Sequence, residues 1–190
     1  MRSKMRRAIH ITGASGSGVT TLGRALARKT GAVHLDTDDF YWSPVEPKFS
    51  VKRDVSERLL LLDAAFRTAG RRGWILSGSV GQWADPILSL FSLVVFLHAP
   101  AEIRAARLRR REAEQFGSEA IAPGGARHEE HEAFIRWATD YDGGTREGRN
   151  LARHEAWLKR LTCPVLRLNG AEPVDGLVRG VLGVGVERAS

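Results

Sequence analysis

Residues 13–21, Gly-Ala-Ser-Gly-Ser-Gly-Val-Thr-Thr, have the composition and spacing of a loop that binds phosphate. Gly13, Gly18 and Thr20 match the P-loop pattern Gly-x-x-x-x-Gly-Lys-[Ser/Thr], whereas Val19 stands in the place of the lysine. In such a loop, backbone N–H groups and a helix N-terminus bind phosphate oxygens, and the hydroxyl of Thr20 is placed to bind Mg²⁺. The lysine normally brings a positive charge to the β- and γ-phosphates. The sequence therefore predicts a phosphate site that lacks one cation.

The segments on either side of the loop support this interpretation. Residues 8–12 read as a short strand, and residues 22–29 read as an amphipathic helix. A dinucleotide loop of the type Gly-x-Gly-x-x-Gly would need glycine at position 15, which is Ser15. We therefore predict contacts with nucleotide phosphates along the whole loop, from Gly13, Ala14, Ser15, Gly16, Ser17, Gly18, Val19, Thr20 and Thr21.

Three carboxylates follow the second predicted strand, in the segment Asp36-Thr-Asp-Asp-Phe-Tyr-Trp42. Carboxylates at the end of a buried strand are costly unless they bind a metal or a substrate. We assign Asp36, with Thr20, to Mg²⁺ and Asp38 to the hydroxyl of an acceptor. The remaining predicted acceptor contacts are Asp39, Phe40, Tyr41 and Trp42. The alternative is a solvated turn in which the acidic residues cap a helix and the aromatic residues cover the edge of the core.

The composition limits the class of protein. A chain of 190 residues is long enough for one domain with a substantial core. The net charge is +7, and 24 of the 29 basic residues are arginine. The basic clusters are short and lack interleaved aromatic residues, which argues against a dedicated nucleic-acid binder. No apolar run has the length of a membrane span, and the one cysteine, Cys163, cannot form an intrachain disulfide. We expect a cytoplasmic protein, either a monomer or a weak homodimer.

Short apolar segments alternate with helical patterns along the chain. The predicted strands are 8–12, 32–36, 74–77, 93–97 and 164–168, and the predicted helices are about 22–29, 51–69, 100–115, 129–139, 150–161 and from 173 onward. This alternation predicts a three-layer α/β/α fold with a five-stranded parallel sheet. Ligands bind at the carboxyl ends of such strands. His10, His34 and His98 are predicted as core histidines, and Asp85-Pro86 as the start of a helix.

The order of these motifs resembles the P-loop nucleoside and nucleotide kinases, especially the adenylate-kinase-related group. Gly-Trp-Ile-Leu-Ser-Gly at 73–78 resembles that family's Gly-Phe-x-Leu-Asp-Gly, with Ser77 in place of the acidic residue, and the variant P-loop is similar to that of bacterial proteins called P-loop ATPases or adenylate-kinase-like. The segment Asp36–Tyr41 also resembles motifs of shikimate-kinase-like and uridine-kinase-like enzymes. The resemblance implies ATP and Mg²⁺ as cofactors, with Arg107 against the nucleotide base and Arg111 at the terminal phosphates.

A polar, glycine-containing stretch at about 116–149 is too long for an ordinary connector, so we predict a lid insertion within the single domain 1–190. Arg146, Arg149 and Arg153 lie where this stretch ends. We predict that Arg149 and Arg153 act on the phosphates and partly replace the missing lysine; the alternative is that they are surface arginines of a solvated helix.

The predicted activity is transfer of the γ-phosphoryl group of ATP to a nucleotide or a small hydroxylated acceptor, with Asp38, Arg111, Arg149 and Arg153 as the catalytic residues. The substitutions at Val19 and Ser77 keep two alternatives open. One is a nucleotide-binding regulatory protein without turnover, and the other is an ATPase without an acceptor.

Overall fold

Strands and helices alternate along the chain as the sequence predicts. The structure, a computed structural model, describes residues 7–47, 49–143 and 147–187. The strands are β1 (Ala8–Gly13), β2 (Val33–Asp36), β3 (Trp74–Ser77), β4 (Leu93–His98) and β5 (Val165–Asn169). The α-helices are α1 (Val19–Thr30), α2 (Thr37–Tyr41), α3 (Val55–Ala69), α4 (Ala101–Phe116), α5 (Ser118–Ile121), α6 (His128–Thr139), α7 (Leu151–Leu158) and α8 (Val174–Glu187), and 3₁₀ helices span Gly70–Arg72 and Gln82–Leu90.

The five strands form one parallel sheet in the order β2-β3-β1-β4-β5. Asp36 at the end of β2 is in register with Ser77 at the end of β3, and Gly13 at the end of β1 is in register with Leu97 of β4. The acidic segment and the P-loop therefore leave the sheet at the same edge, which is where parallel sheets bind ligands. The predicted three-layer α/β/α fold is confirmed.

The central strand β1 separates two cores because its side chains alternate between the faces of the sheet. Ile9 and Ile11 pack with α1 and α8 in one apolar cluster. On the other face, His10 stacks on Phe91 with ring centroids 5.0 Å apart, and this core includes α3, the second 3₁₀ helix and α7. Thr12 lies on the same face as His10. A polar side chain at the end of the strand thus points toward α7, beside the P-loop.

The segment predicted as a lid insertion, about 116–149, contains α5 and α6. Its apolar contact with the rest of the protein is a small cluster in which Ile135 and Ala138 of α6 pack on Ala105 and Leu108 of α4. His131 of α6 and Glu112 of α4 also pair, with Nδ1 and Oε2 2.7 Å apart. The segment is therefore seated on α4, and its movement as a lid stays a prediction.

Three predictions of local structure are wrong. Helix α3 begins at Val55 and not at position 51, because the segment before it is extended and pairs with the end of α2, through Arg53 N–H donating to Tyr41 O at 2.9 Å. Asp85 and Pro86 lie inside the second 3₁₀ helix, which begins after the turn at Gly81 (φ 56°). His98 is an exposed residue and not part of the core, because it ends β4 at the ligand edge.

Within the described residues, no helix combines the length and the apolar character needed to cross a membrane.

Candidate active site

The P-loop has the backbone conformation of an anion-binding loop. Gly16 and Gly18 have positive φ angles of 81° and 100°, and Gly18 is the N-cap of α1. A Cβ atom on Gly13 would lie 2.3 Å from the carbonyl oxygen of Leu97, so the first position accepts no side chain. The first turn of α1 contains no acidic residue. The backbone N–H groups at the start of this helix are therefore available for a phosphate.

Val19 contributes no polar group to this loop. Its side chain is partly buried against the apolar cluster formed by β1, α1 and α8. The position that carries the lysine in the P-loop pattern thus stabilises the start of α1 through packing and brings no positive charge to the loop.

Thr20 and Asp36, the two predicted Mg²⁺ ligands, are in direct contact. The Thr20 hydroxyl donates a hydrogen bond to Oδ2 of Asp36 at 3.0 Å, and Oδ1 of Asp36 accepts one from the backbone N–H of Asp38 at 3.2 Å. A hydroxyl and a carboxylate beside a phosphate loop fit Mg²⁺, which commonly binds one or two protein oxygens together with phosphate oxygens and water. Ser77, in contrast, is buried and within hydrogen-bond distance of Nε2 of His34, at 2.8 Å.

The electrostatic environment of Asp38 suits a proton acceptor. Desolvation by the surrounding protein and the negative charge of Asp36 raise the pKa of Asp38, while the positive charge of Arg149 and a hydrogen bond with Trp42 oppose the rise. Desolvation and Asp36 also raise the pKa of Asp39. A carboxylate whose pKa lies above its ordinary value is a stronger base than an ordinary aspartate.

Arg149 brings a positively charged side chain into contact with the P-loop. Its NH2 group donates a hydrogen bond to the hydroxyl of Ser15 at 2.7 Å, and its guanidinium lies 5.9 Å from the centre of the Trp137 ring. Burial lowers the pKa of Arg149, which the charges of Tyr141 and Asp38 partly offset. The arginine therefore contacts the tip of the loop and also acts electrostatically on the predicted base.

The other predicted arginines are placed differently. Arg107 donates through NH1 to the carbonyl oxygens of Gly170 at 2.9 Å, Ser17 at 3.3 Å and Gly16 at 3.4 Å, so it braces the outside of the P-loop. Arg111 is exposed, with its guanidinium 5.9 Å from the centre of the Phe134 ring. The structure thus brings Arg107 to the loop and directs Arg111 toward α6. Arg146 lies outside the described residues.

The aromatic residues predicted to contact an acceptor are packed against the protein. Phe40 packs on the core, and the ring of Tyr41 is covered by the guanidinium of Arg58 at 3.9 Å. Trp42 packs edge-on against Tyr41, with ring centroids 4.9 Å apart. Sequence reasoning missed Arg58, which is buried on α3. Its signal is a charge on the apolar face of a helix, four residues before Leu62.

Sequence reasoning also missed a polar chain, a row of three buried side chains that lie within hydrogen-bond distance of one another, beside the P-loop. Nε2 of His154 lies 3.2 Å from the hydroxyl of Thr12, and its Nδ1 lies 2.6 Å from the hydroxyl of Tyr141. All three residues are buried. Thr12 directly precedes the P-loop, and Tyr141 precedes the segment that carries Arg149. No local motif identifies this chain, because its members are far apart in sequence.

A cavity of about 630 Å³ opens next to these residues. It lies between the end of β1, the turn after β3 and α7, and it is lined by Thr12, Ser79, Val80, Gly81, Gln82, Gly148, Arg149, Arg153, His154, Ala156, Trp157 and Arg160. Arg149 and Arg153, both predicted as site residues, line it together. Its volume is typical of a small-molecule site.

One known protein is similar along nearly the whole chain. The uncharacterized protein YqaC of Bacillus subtilis (strain 168) is 44% identical over 178 residues, which are 94% of this chain and 97% of that protein. The chain belongs to the YqaC family. No family model matches this member of the YqaC family.

The YqaC-family chain also resembles solved kinase structures. A shikimate kinase from Acinetobacter baumannii in complex with shikimate has a TM-score of 0.56 at 16% identity, with 97% of this chain and 96% of that chain covered. A gluconokinase from Sinorhizobium meliloti 1021 has a TM-score of 0.52 at 19% identity, with 97% and 94% covered. At these identities the likeness establishes the fold, which is that of the P-loop kinases.

Proposed function

We propose that this protein transfers the γ-phosphoryl group of ATP to a hydroxyl group of a small acceptor. The observation that carries the proposal is the contact between Arg149 and Ser15, since it brings a cation to a phosphate loop whose own lysine is replaced by Val19. Phosphoryl transfer depends mainly on positioning and on neutralising charge, so a cation at this place is the part whose absence would argue most strongly against activity. The kinase names of the similar structures agree with this proposal.

Each step is assigned to residues of this chain. The backbone N–H groups from Gly13 to Thr20 bind the phosphates, and Thr20 and Asp36 would hold Mg²⁺, which would neutralise phosphate charge. Asp38 accepts the proton of the acceptor hydroxyl as its oxygen forms a bond to the γ-phosphorus. The bond from that phosphorus to the bridging oxygen breaks, and ADP leaves with the electron pair while Arg149 stabilises the charge of the transferred group.

A binding protein without turnover is the second candidate. It is favoured by Val19, which replaces the lysine of the P-loop pattern, and by Ser77, which replaces the acidic residue in the motif of the adenylate-kinase-related family. Ser77 lies against His34 in this structure. The hydrogen bond from the backbone N–H of Asp38 to Asp36 favours the kinase, because it holds the predicted base beside the predicted magnesium site, and a protein that only binds nucleotide needs no base.

The test restores the lysine and removes the arginine. We expect Arg149→Ala to weaken binding of an ATP analogue and to lower ADP formation by roughly a hundredfold or more, as loss of a transition-state cation does. Val19→Lys in the Arg149→Ala background should recover a large part of the loss, since it returns a cation to the same phosphates. The control is Arg110→Ala, an exposed arginine on α4.

Three outcomes would contradict the proposal in different ways. Normal analogue binding without ADP formation, across a panel of hydroxylated acceptors, would favour the binding protein. ADP formation that no acceptor increases would favour an ATPase. Equal rates for Arg149→Ala and Arg110→Ala would exclude Arg149 as the replacement cation.

A further inference from the structure

We propose that the acceptor is a small polyhydroxylated anion, such as a sugar acid or sugar phosphate, and that Arg153 in the cavity beside α7 binds its charge. This inference rests on the proposed function, because it names the substrate class of the same site. It goes beyond that function, because transfer to a hydroxyl does not by itself require a charged acceptor.

The charged residues that line the cavity are all basic. Three of its twelve lining residues are arginines, namely Arg149, Arg153 and Arg160, and none is an aspartate or glutamate. Two of these arginines have other contacts, since Arg149 bonds to Ser15 and Arg160 pairs with Asp85 at 2.6 Å. Arg153 differs: within the described residues its guanidinium makes no hydrogen bond or ion pair, and its backbone N–H bonds to Asn150. Arg153 is an exposed residue, and it is the arginine of this lining whose charge has no protein partner within the described residues.

The three arginines of the lining differ in what they contact. Arg149 contacts the P-loop, so it serves the nucleotide phosphates. Arg153, Trp157 and Arg160 follow at intervals of four and three residues, which places them along one face of α7 and the turn after it. Since Arg160 pairs with Asp85, Arg153 is the arginine of this row that is available to a second anion, and the proposal assigns that anion to the other substrate.

The uncharged part of the lining indicates what carries this anion. Ser79 and Gln82 offer a hydroxyl and an amide, groups that hydrogen-bond to the hydroxyls of a polyol. Tyr41 and Trp42 are absent from the lining, and Trp157 is only 7% exposed. A nucleobase would have little aromatic surface to stack on here. The lining therefore favours a polyol anion over a nucleoside monophosphate.

The test measures binding to the full chain by calorimetry with ADP and Mg²⁺ at saturation, so that the P-loop is occupied. The probes are inorganic phosphate as the minimal anion, gluconate, sorbitol as the neutral polyol of the same chain length, and AMP. We expect phosphate and gluconate to bind, gluconate more tightly than AMP, and sorbitol at least roughly tenfold more weakly than gluconate. Arg153→Ala should weaken both anions by at least roughly tenfold, whereas Arg109→Ala, an exposed arginine on α4, should leave them unchanged.

Each contrary result is decisive. The inference is overturned if sorbitol binds as tightly as gluconate, if AMP binds more tightly, if neither anion binds, or if the two arginine variants behave alike. Its failure is distinct from failure of the proposed function. Anion binding that requires Arg153 but never leads to ADP formation supports the inference and contradicts the kinase. ADP formation with a neutral acceptor, unaffected by Arg153→Ala, supports the kinase and overturns the inference.

Discussion

Arg149 and Asp38 affect each other's protonation at the centre of the candidate site. The positive charge of Arg149 lowers the pKa of Asp38, and the negative charge of Asp38 raises the pKa of Arg149. Desolvation opposes both effects, so the pKa of Asp38 stays above its ordinary value. The predicted base is therefore protonated at a higher pH than an ordinary aspartate, and its charge depends on the arginine.

We predict an acidic limb in the pH dependence of kcat/KM. Activity should fall as the pH decreases through the raised pKa of Asp38, since the protonated acid cannot accept the hydroxyl proton. Asp38→Asn should lower the rate by about 10²–10⁴-fold and abolish the limb while leaving affinity for an ATP analogue nearly unchanged. Arg149→Lys should keep the limb, because it keeps the charge.

The limb should move to higher pH in Arg149→Ala, because that variant loses the charge that lowers the pKa of Asp38. Stopped assays from pH 4 to 8 on folded protein would measure both effects. A limb that persists unchanged in Asp38→Asn would transfer the role of base to Asp36 or Asp39.

For individual residues, the sequence is informative where the residues of a motif are close together in the chain. The P-loop spacing predicted a loop before a helix, and the structure has Gly18 as the N-cap of α1 and Thr20 bonded to Asp36, while their part in ligand binding stays a prediction. The contact of Arg149 with Ser15 joins residues 134 positions apart, so only the arginine's place at the end of the predicted lid hinted at it. Arg58 was not predicted, because its contact with Tyr41 joins two segments that the sequence does not show to be neighbours.

Among the elements, the segment between α6 and α7 is held at its base. The backbone N–H of Leu151 donates to the carbonyl oxygen of Tyr141 at 2.9 Å, which closes the loop that carries Arg149. The Tyr141 hydroxyl then reaches Thr12 through His154. Asp142, next to Tyr141, pairs with the buried Arg104 of α4. The strand that leads into the P-loop and the loop that brings the cation thus share one polar chain.

We predict that Tyr141→Phe loosens Arg149 without unfolding the protein. The substitution keeps the ring and removes the hydroxyl, at a cost of about 1 kcal/mol in the free energy of unfolding. We expect faster hydrogen exchange over residues 147–158 and severalfold weaker binding of an ATP analogue. The matched control is Thr68→Val, which removes a hydroxyl that donates to Ala64 O at 2.9 Å near the end of α3, at the opposite edge of the sheet.

The control should leave exchange over 147–158 and analogue binding unchanged. Unaltered exchange in Tyr141→Phe would mean that the polar chain stabilises the core but does not position the loop.

Strands and helices with a clear pattern of apolar residues were predicted well, whereas elements whose bounds depend on tertiary contacts were not. The five strands lie within one or two residues of their predicted bounds because each is a short apolar run between turn residues. The start of α3 and the second 3₁₀ helix were misplaced, because the pairing of the chain beyond α2 and the turn at Gly81 override local helical propensity.

For the molecule as a whole, His10 introduces a sensitivity to acid at the middle of the sheet. It is fully buried, its Nδ1 lies 3.0 Å from the carbonyl oxygen of Leu76, and within the described residues its Nε2 has no hydrogen-bond partner. Burial lowers the pKa of His10 to about 3. Between about pH 6.5 and 3, the unfolded chain therefore binds a proton at this position that the folded chain does not.

We predict that the free energy of unfolding decreases with falling pH through this window, by about 1.4 kcal/mol per pH unit from this residue. The sign follows because a histidine whose pKa is lowered by folding stabilises the folded state only while it is neutral. Urea titrations at pH 7.5 and pH 5 would measure the difference, and His10→Phe, which preserves a ring against Phe91, should reduce it. An unchanged pH dependence in His10→Phe would assign the acid sensitivity to other groups.

The separation of 134 residues between Ser15 and Arg149 has a further consequence. A lysine within the loop is present whenever the loop is folded, but this cation arrives only when a distant segment is seated. Under the proposed function, ATP bound while that segment is not seated would lack full charge neutralisation and would be hydrolysed more slowly. A search for the P-loop pattern that requires the lysine would miss this charge, because Arg149 lies 134 residues farther along the sequence although it contacts the loop in the fold.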